Sequence, residues 1–350
     1  MLVDGREGVI VKLRRNLLEA RRVAVLFRVV REVGENLPLA FCERHIPFRG
    51  WLSTDRSVFP TEHLPNYHVR RRSTEAQALS GWTPPGGTLG ELTDEARARA
   101  ATLAPRAAEL ARAIERSSPP PGFASALRRA HIAIIAEVKR SSPSKGEINP
   151  GLDLERQVRA YEKGGAAAIS ILTEPRRFGG SNEDLVRARA AVHAPLLKKD
   201  FHVDVLQILE ARSLGASAAL VIARAVPPGR LRELIRTGGD VGIEILVEVR
   251  DAGELDLALS LDASLIGVNN RNLETLEIDP EASLRLLPLV PREIVAIAES
   301  GVKSIADVTR VGAAGADAVL IGSELSASAD PEAAVRALTG VTRTAGARKG

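Results

Sequence analysis

The stretch IIAEVKRSSPSKG, Ile134–Gly146, begins as a buried strand would and then carries charge. Isoleucine and valine favour a strand in apolar surroundings, yet Glu137 and Lys139 lie inside the stretch, two residues apart. Side chains alternate between the two faces of a strand, so both charges share the face of Ala133 and Ile135. Because an unpaired buried charge is costly, this face needs partner charges from elsewhere in the chain.

Strand-like runs recur along the chain after this one. They lie at 132–140, 166–174, 195–201, 218–224, 242–249, 265–271, 293–301 and 318–325, with starts 34, 29, 23, 24, 23, 28 and 25 residues apart. Helical stretches fill the gaps, and several end at glycine, as helices commonly do. Eight β-then-α units predict an α/β fold of the (β/α)8 barrel (TIM barrel) type. The alternative is an open doubly wound sheet. It is disfavoured because eight equal units close naturally and no Gly-x-Gly-x-x-Gly follows the first strand.

Composition restricts the class of protein. The 350 residues are 45% hydrophobic and 26% charged, as in ordinary globular proteins. A single cysteine, Cys42, excludes an intrachain disulfide and fits a reducing compartment. No uncharged run approaches the roughly 18 residues of a transmembrane helix, and the apolar run VAVLF is too short for a secretory signal. These features predict a cytoplasmic protein without a membrane partner.

The first 83 residues differ from the rest. They hold 14 Lys and Arg against 9 Asp and Glu, a balance of +5, so the remainder carries −1 of the total +4. The Pro- and Gly-rich stretch Trp82–Gly90 is typical of a boundary. We therefore predict an atypical extension over 1–83, poorly ordered or not translated, and a barrel domain over 84–350 with leading helices at 92–130. A basic helix at Val11–Val33 would alternatively make the extension a nucleic-acid or membrane-surface arm.

Polar residues gather where the predicted strands end, and barrel enzymes place their chemistry there. The first strand ends in Glu137 and Lys139, and the fifth ends in Glu248. In the third strand only one of two adjacent lysines can face inward, and Lys199 shares a face with Leu197. Two carboxylates and two lysines at one mouth would shift each other's pKa values, which is how acid–base catalysts are tuned.

The last two strands predict a phosphate site. Ser300-Gly301 follows the seventh strand and Gly322-Ser323 follows the eighth. Barrels commonly bind phosphate at this position, because small residues let main-chain N–H groups approach the anion. The ligand is therefore expected to be a phosphate ester.

From about residue 84 to 340 the chain resembles the indole-3-glycerol phosphate synthase family of tryptophan biosynthesis. IIAEVKRSSPSKG is similar to the strand-1 signature of that family. TEPRRFGGS, LLKKDF, LVEV, IGVNNRNLETLEID, AESGV and LIGSEL are similar to its later motifs, in the same order. The resemblance implies a (β/α)8 barrel whose N-terminal helix covers the mouth.

The resemblance also implies an activity. Family members are lyases that close an indole ring on 1-(2-carboxyphenylamino)-1-deoxyribulose 5-phosphate, releasing CO2 and water. They use no cofactor or metal, and no obligate protein partner is evident from the sequence.

The family roles fall on matching positions of this chain. Lys199 would be the general acid for ring closure, and Lys139 would lie near the substrate carboxylate or serve as an acid for dehydration. Glu248 would be the general base, and Glu137 would orient Lys139. The remaining matches are Asn269 and Ser300 near the reacting centre, Ser142, Gly301, Gly322 and Ser323 at the phosphate, Phe178 and Phe201 around the aromatic ring, and Arg271 near the site. The division of acid and base duties between the two lysines and the two glutamates stays open.

The sequence leaves two alternative functions to compare with this one. Phosphoribosylanthranilate isomerase is another phosphate-binding barrel, but it uses a Cys/Asp pair, and no cysteine follows Cys42. A nucleic-acid-binding protein would use the basic extension, and its binding would depend on salt. We expect a small phosphorylated substrate and no nucleic-acid partner.

Overall fold

The computed structural model describes residues 81–344 and residue 348. The predicted helix at Val11–Val33 and Cys42 lie outside these residues, as does nearly all of the proposed extension.

Eight parallel strands close into a barrel. They are β1 Ala133–Val138, β2 Ala168–Leu172, β3 Leu196–Lys199, β4 Ala218–Ile222, β5 Glu244–Val249, β6 Leu265–Asn269, β7 Val295–Glu299 and β8 Ala318–Ile321. Each pairs with the next along the chain, and β1 pairs with β8 to close the ring. The predicted (β/α)8 barrel is confirmed, and the open doubly wound sheet is excluded.

Helices precede the barrel and alternate with its strands. They are α1 Gly87–Ala101, α2 Ala107–Arg116, α3 Phe123–Leu127, α4 Leu154–Gly164, α5 Asn182–Ala191, α6 Val205–Ser213, α7 Pro228–Val241, α8 Ala252–Ser260, α9 Ala282–Leu286, α10 Ile305–Ala313, α11 Ser323–Ser326 and α12 Pro331–Arg336. Short 3-10 turns lie at Ala104–Arg106, Ala223–Ala225 and Leu287–Leu289, and a small hairpin pairs Ser141–Ser142 with Gly146–Glu147.

Capping side chains set where several of these helices begin. The Asp153 carboxylate accepts from the main-chain N–H of Arg156 at the start of α4. Asp204 with Gln207 and Ser304 with Asp307 form reciprocal capping boxes at α6 and α10. Such caps satisfy N–H groups that have no partner inside the helix, so each helix starts at a defined distance from the strand before it.

The first of the leading helices begins earlier than predicted, at Gly87 rather than at residue 92. Thr93 is buried inside the helix, where its hydroxyl donates to the Leu89 carbonyl at 2.7 Å. The true start is held by Glu274, whose carboxylate accepts from the Gly86 N–H at 2.9 Å. The predicted start at residue 92 is therefore wrong, because contacts with Glu274, distant in sequence, extend the helix.

Apolar side chains from the strands and surrounding helices form one continuous core. All positions of β1, β2, β4, β6, β7 and β8 are buried, polar ones included. Polar side chains on these strands are therefore either paired in the core or directed into the barrel mouth. None of the helices in the described part of the chain is long and apolar enough to cross a membrane.

Candidate active site

One cavity opens at the carboxyl end of the barrel, with a volume of about 1180 Å³ including the space at its mouth. All thirteen residues singled out from the sequence line it: Glu137, Lys139, Ser142, Phe178, Lys199, Phe201, Glu248, Asn269, Arg271, Ser300, Gly301, Gly322 and Ser323. The structure thus brings together every candidate, from seven of the eight strands or from the loops that follow them.

Lys199 lies at the centre of this cavity. Its Nζ is 3.0 Å from Glu248 Oε2 and 3.0 Å from Glu299 Oε2, on β5 and β7. Burial disfavours the ammonium, but the carboxylates of Glu248, Glu299 and Glu137 together outweigh burial and raise the pKa of Lys199. Lys199 therefore carries its proton at neutral pH and is available as an acid.

Glu137 and Lys139 form a second ion pair at the end of β1, between Nζ and Oε1. Glu137 is almost fully buried, and its Oε2 accepts a long hydrogen bond of 3.5 Å from Ser170. The sequence predicts that Glu137 and Lys139 each need a partner charge, and in the structure each is the partner of the other.

Gly322 allows the pair to fit. A Cβ at residue 322 would lie 2.3 Å from Glu137 Oε1 and 3.1 Å from Lys139 Nζ. The turn after β8 therefore touches the ion pair at the end of β1, and a side chain at this position would displace one of them.

Glu248 is held on both oxygens. Oε2 contacts Lys199, and Oε1 accepts from Asn269 Nδ2 at 2.8 Å. Asn269 is oriented in turn, because its Oδ1 accepts from the Arg271 N–H at 2.9 Å. Arg271 Nη1 donates to the Leu276 carbonyl at 2.8 Å, which folds the loop after β6 onto the mouth. A carboxylate held in this way has a fixed direction in the lumen.

Glu299 is the site residue that sequence reasoning left out. From the sequence, its neighbours Ser300 and Gly301 are assigned to the site but Glu299 itself is not. The signal was present, since alternation along β7 places Glu299 on the same face as Ile297, just as Glu137 shares a face with Ile135.

Burial raises the pKa of Glu299 to about 7, although Lys199 acts in the opposite direction. Its Oε1 is buried and has no hydrogen-bond partner among the described residues. Gly267 on β6 makes room for this oxygen, because a Cβ there would lie 2.0 Å from Oε1. Glu299 is therefore a buried carboxyl group that titrates near neutrality beside Lys199.

Two turns of small residues, one after β7 and one after β8, line the cavity. Ser300 and Gly301 both have positive φ, 62° and 82°, a conformation that is unusual for serine. It is held because Asn270 Nδ2 donates to the Ser300 carbonyl at 2.8 Å. Ser323 begins α11 directly after Gly322. Both turns therefore lie at the cavity, and anion binding there stays a prediction.

The loop after β1 closes this side of the cavity. Ser142 Oγ accepts from the Lys145 N–H at 3.2 Å and shapes the loop. Lys145 Nζ reaches Glu324 at 3.3 Å, so the loop touches the turn after β8. Arg140 is anchored on the other side by Asp184, at 2.7 and 3.0 Å.

Aromatic and apolar side chains line another part of the cavity. The rings of Phe178 and Phe201 lie with centroids 6.3 Å apart, tilted by 39°. Leu92 of α1 also lines the cavity. The helix is fixed there by Arg99, whose Nη2 donates to Asp200 Oδ1 at 2.6 Å. The leading helix thus contributes to the cavity, as the resemblance implied.

Lys198 points away from the cavity. Its Nζ contacts Asp200 at 3.3 Å and Glu210 of α6 at 3.6 Å, between the strand and the helix. The expectation that only one of the two adjacent lysines faces inward is confirmed, and Lys199 is the one.

A closed (β/α)8 barrel with buried ammonium–carboxylate pairs at the carboxyl ends of its strands is the arrangement of a barrel enzyme. Within residues 81–344 and residue 348, no group of three or more His, Cys, Asp or Glu side chains is arranged to hold a metal ion.

Comparison with known proteins names the family. A family model described as indole-3-glycerol phosphate synthase matches residues 91–338. The protein of that name from Mycolicibacterium gilvum is 48% identical over 228 residues, which cover 65% of this chain and 84% of that protein. The one from Nocardioides sp. is 47% identical over 245 residues, 70% and 93% of the two chains. The one from Chlorobium chlorochromatii is 44% identical over 214 residues, 60% and 83%. This chain belongs to the indole-3-glycerol phosphate synthase family.

Proposed function

We propose that this protein converts 1-(2-carboxyphenylamino)-1-deoxyribulose 5-phosphate to indole-3-glycerol phosphate, CO2 and water. The observation that carries the proposal is the Lys199 ammonium held between Glu248 and Glu299 inside the barrel mouth, in a chain of this family. The product places the enzyme in tryptophan biosynthesis as a decarboxylating lyase.

The cavity suits the charges of the substrate. The substrate carries a carboxylate at one end and a phosphate at the other, and a mouth with Lys139 and Lys199 attracts anions. The turns at Ser300-Gly301 and Gly322-Ser323 would receive the phosphate through main-chain N–H groups, with Ser142 on the adjoining loop. The aromatic ring would pack against the wall formed by Phe178 and Phe201.

Ring closure requires a proton on the carbonyl oxygen as the aryl carbon attacks it. Lys199 would donate this proton, since its raised pKa keeps it protonated. Loss of CO2 then restores the aromatic ring without any further proton from the protein. Correct placement of acid and carbonyl would come from the two carboxylates that hold Nζ.

Dehydration requires an acid for the departing hydroxyl group and a base for the proton that is lost. Lys139, paired with Glu137, would be the acid, and Glu248 would be the base. Asn269 fixes the direction of Glu248. Ser300 and Arg271 would hold the substrate near these groups.

A direct assay tests the proposal. Purified full-length protein should convert the carboxyphenylamino-deoxyribulose phosphate to a product with indole absorbance and release one CO2 for each product molecule. Heat-denatured protein is the control. Absence of turnover by folded protein would contradict the proposal. With a soluble phosphorylated substrate and the single cysteine of a reducing compartment, the cytoplasm is the proposed site of action.

A further inference from the structure

Ser326 closes α11 behind the small-residue turn and is fully buried. Its hydroxyl accepts from the Lys139 N–H at 3.0 Å and donates to the Glu137 carbonyl at 3.0 Å. One side chain therefore holds the main chain of both residues of the Glu137–Lys139 ion pair.

The barrel leaves these two main-chain groups without a strand partner. β1 pairs with β8 only as far as Ala136, which lies opposite Ile321. On its other side β1 stays paired with β2 through Val138, opposite Ile171. β8 stops first because the chain turns into α11.

Main-chain groups of alternate residues in a parallel strand point to the same neighbour. The Ala133 N–H points to the β8 side, where it donates to the Asp317 carbonyl. The Glu137 carbonyl and the Lys139 N–H therefore face the space beyond the end of β8. A serine hydroxyl offers one donor and two acceptor sites, so Ser326 can replace both missing strand contacts.

Neighbouring side chains fix the hydroxyl and its helix. Tyr161 of α4 donates to the same Glu137 carbonyl at 3.2 Å. Burial raises the pKa of Tyr161 to about 12, so its hydroxyl keeps its proton. Asn149 donates to the Ser326 carbonyl at 2.9 Å, and Gln157 donates to the Leu325 carbonyl at 3.2 Å. The end of α11 therefore has little freedom relative to β1.

We propose that Ser326 is a positioning residue that ties the turn at Gly322-Ser323 to the Lys139 ammonium, so that a phosphate held by the turn sets where Lys139 acts. Gly322 packs directly against the same ion pair, so the turn and the Lys139 ammonium cannot move independently. The inference rests on the proposed function, in which this turn receives phosphate and Lys139 is an acid.

Two substitutions at Ser326 separate hydrogen bonding from packing. Ser326→Ala removes the hydroxyl, whereas Ser326→Cys keeps the shape and offers only a weak donor and acceptor. Both should lower kcat about tenfold, equivalent to ~1.4 kcal/mol. KM should change less than about threefold, because the phosphate contacts remain. Ser328→Ala is the matched control, since the Ser328 hydroxyl donates to the carbonyl of the nearby Asp330 and accepts from its N–H, away from β1.

A double-variant cycle with Lys139→Ala tests whether Ser326 acts through the lysine. Residues that act through one another are not additive, so Ser326→Ala should cost less than about twofold in the Lys139→Ala background. If Lys139→Ala abolishes turnover, the cycle is measured on the affinity for indole-3-glycerol phosphate by calorimetry. There Ser326→Ala should weaken binding about two- to threefold in the wild-type background and leave it unchanged in the Lys139→Ala background.

Three results would overturn the inference. They are kcat of Ser326→Ala within about twofold of the Ser328→Ala control, wild-type kcat in Ser326→Cys, and equal losses from Ser326→Ala in both backgrounds of the cycle. A wild-type protein that turns over, combined with any of these results, leaves the proposed function intact. A wild-type protein that fails to turn over removes the proposed function and this inference together.

Discussion

At the amino end of the barrel, the buried carboxylate of Asp317 is completely engaged. Oδ2 accepts from the Ala296 N–H at 2.8 Å and from Arg348 at 2.7 Å. Oδ1 accepts from Arg348 at 2.8 Å and also from Arg343. At the carboxyl end, Glu299 is equally buried but pairs through one oxygen only.

The difference separates two uses of buried charge. Asp317 joins the start of β8 to the C-terminal segment, and each of its oxygens has a donor, as structural carboxylates generally do. Glu299 leaves an oxygen without a partner beside an acid, in a cavity open to ligand. Buried polar atoms without a partner are rare in native structures, and carboxyl groups with shifted pKa values cluster at functional sites.

The largest effect on catalysis is expected at the carboxyl end, from Lys199→Ala. This change should lower kcat at least about 10²-fold, the lower range for loss of an acid catalyst. It should leave the protein folded, because Glu248 and Glu299, left without the ammonium, line the open cavity, where water can enter. Steady-state kinetics and the circular dichroism spectrum check both parts. A near-normal kcat would assign the ring-closure proton to the other lysine.

The opposite outcome is expected at the amino end. Asp317→Ala leaves the buried guanidinium of Arg348 without its partner, and breaking such a pair costs about 3 kcal/mol of the free energy of unfolding. Urea unfolding measures this loss. Replacement of the exposed Asp256 by alanine is the control and should change stability little. Since Asp317 is far from the mouth, kcat of the folded variant should stay near the wild-type value. A large loss of kcat would contradict a purely structural role for Asp317.

Glu299 should give the smallest effect, visible as a change with pH. Its pKa in the folded protein, about 7, lies above the ordinary value of 4.5. The folded state therefore holds this proton more tightly, and the resulting stabilisation is complete below pH 4.5 and lost as the pH rises to about 7.

Glu299→Gln should remove this part of the pH dependence, because an amide does not titrate. Tm measured from pH 4.5 to 8 should fall less steeply for the variant than for the wild type. The exposed Glu293→Gln serves as control and should follow the wild-type curve. Parallel curves for Glu299→Gln and wild type would mean that Glu299 is ionised across this range.

The sequence was sufficient for the barrel because its signals are local and repeated. Alternation within β1 placed Glu137 and Lys139 on one face, and alternation within β3 separated Lys199 from Lys198. Both assignments hold in the structure. Eight strands of this kind can be counted without knowing any contact between them.

Features that depend on distant contacts could not be predicted in this way. The start of α1 is held by Glu274, 188 residues from Gly86, so the glycines there were interpreted only as a boundary. Ser326 has no distinguishing local pattern, and its importance becomes visible only where β8 ends beside β1. Glu299 could have been found, since the alternation rule applied to β1 applies equally to β7.

Glu299, which lies between Gly267 and Lys199, should also affect the measured heat of ligand binding. An anionic ligand entering the mouth would disfavour ionised Glu299 and raise its pKa further from a value already near neutrality. Binding at pH 7 would then draw a proton from the buffer. The heat of binding would vary with the ionisation enthalpy of the buffer, and the slope of that variation would count the protons taken up.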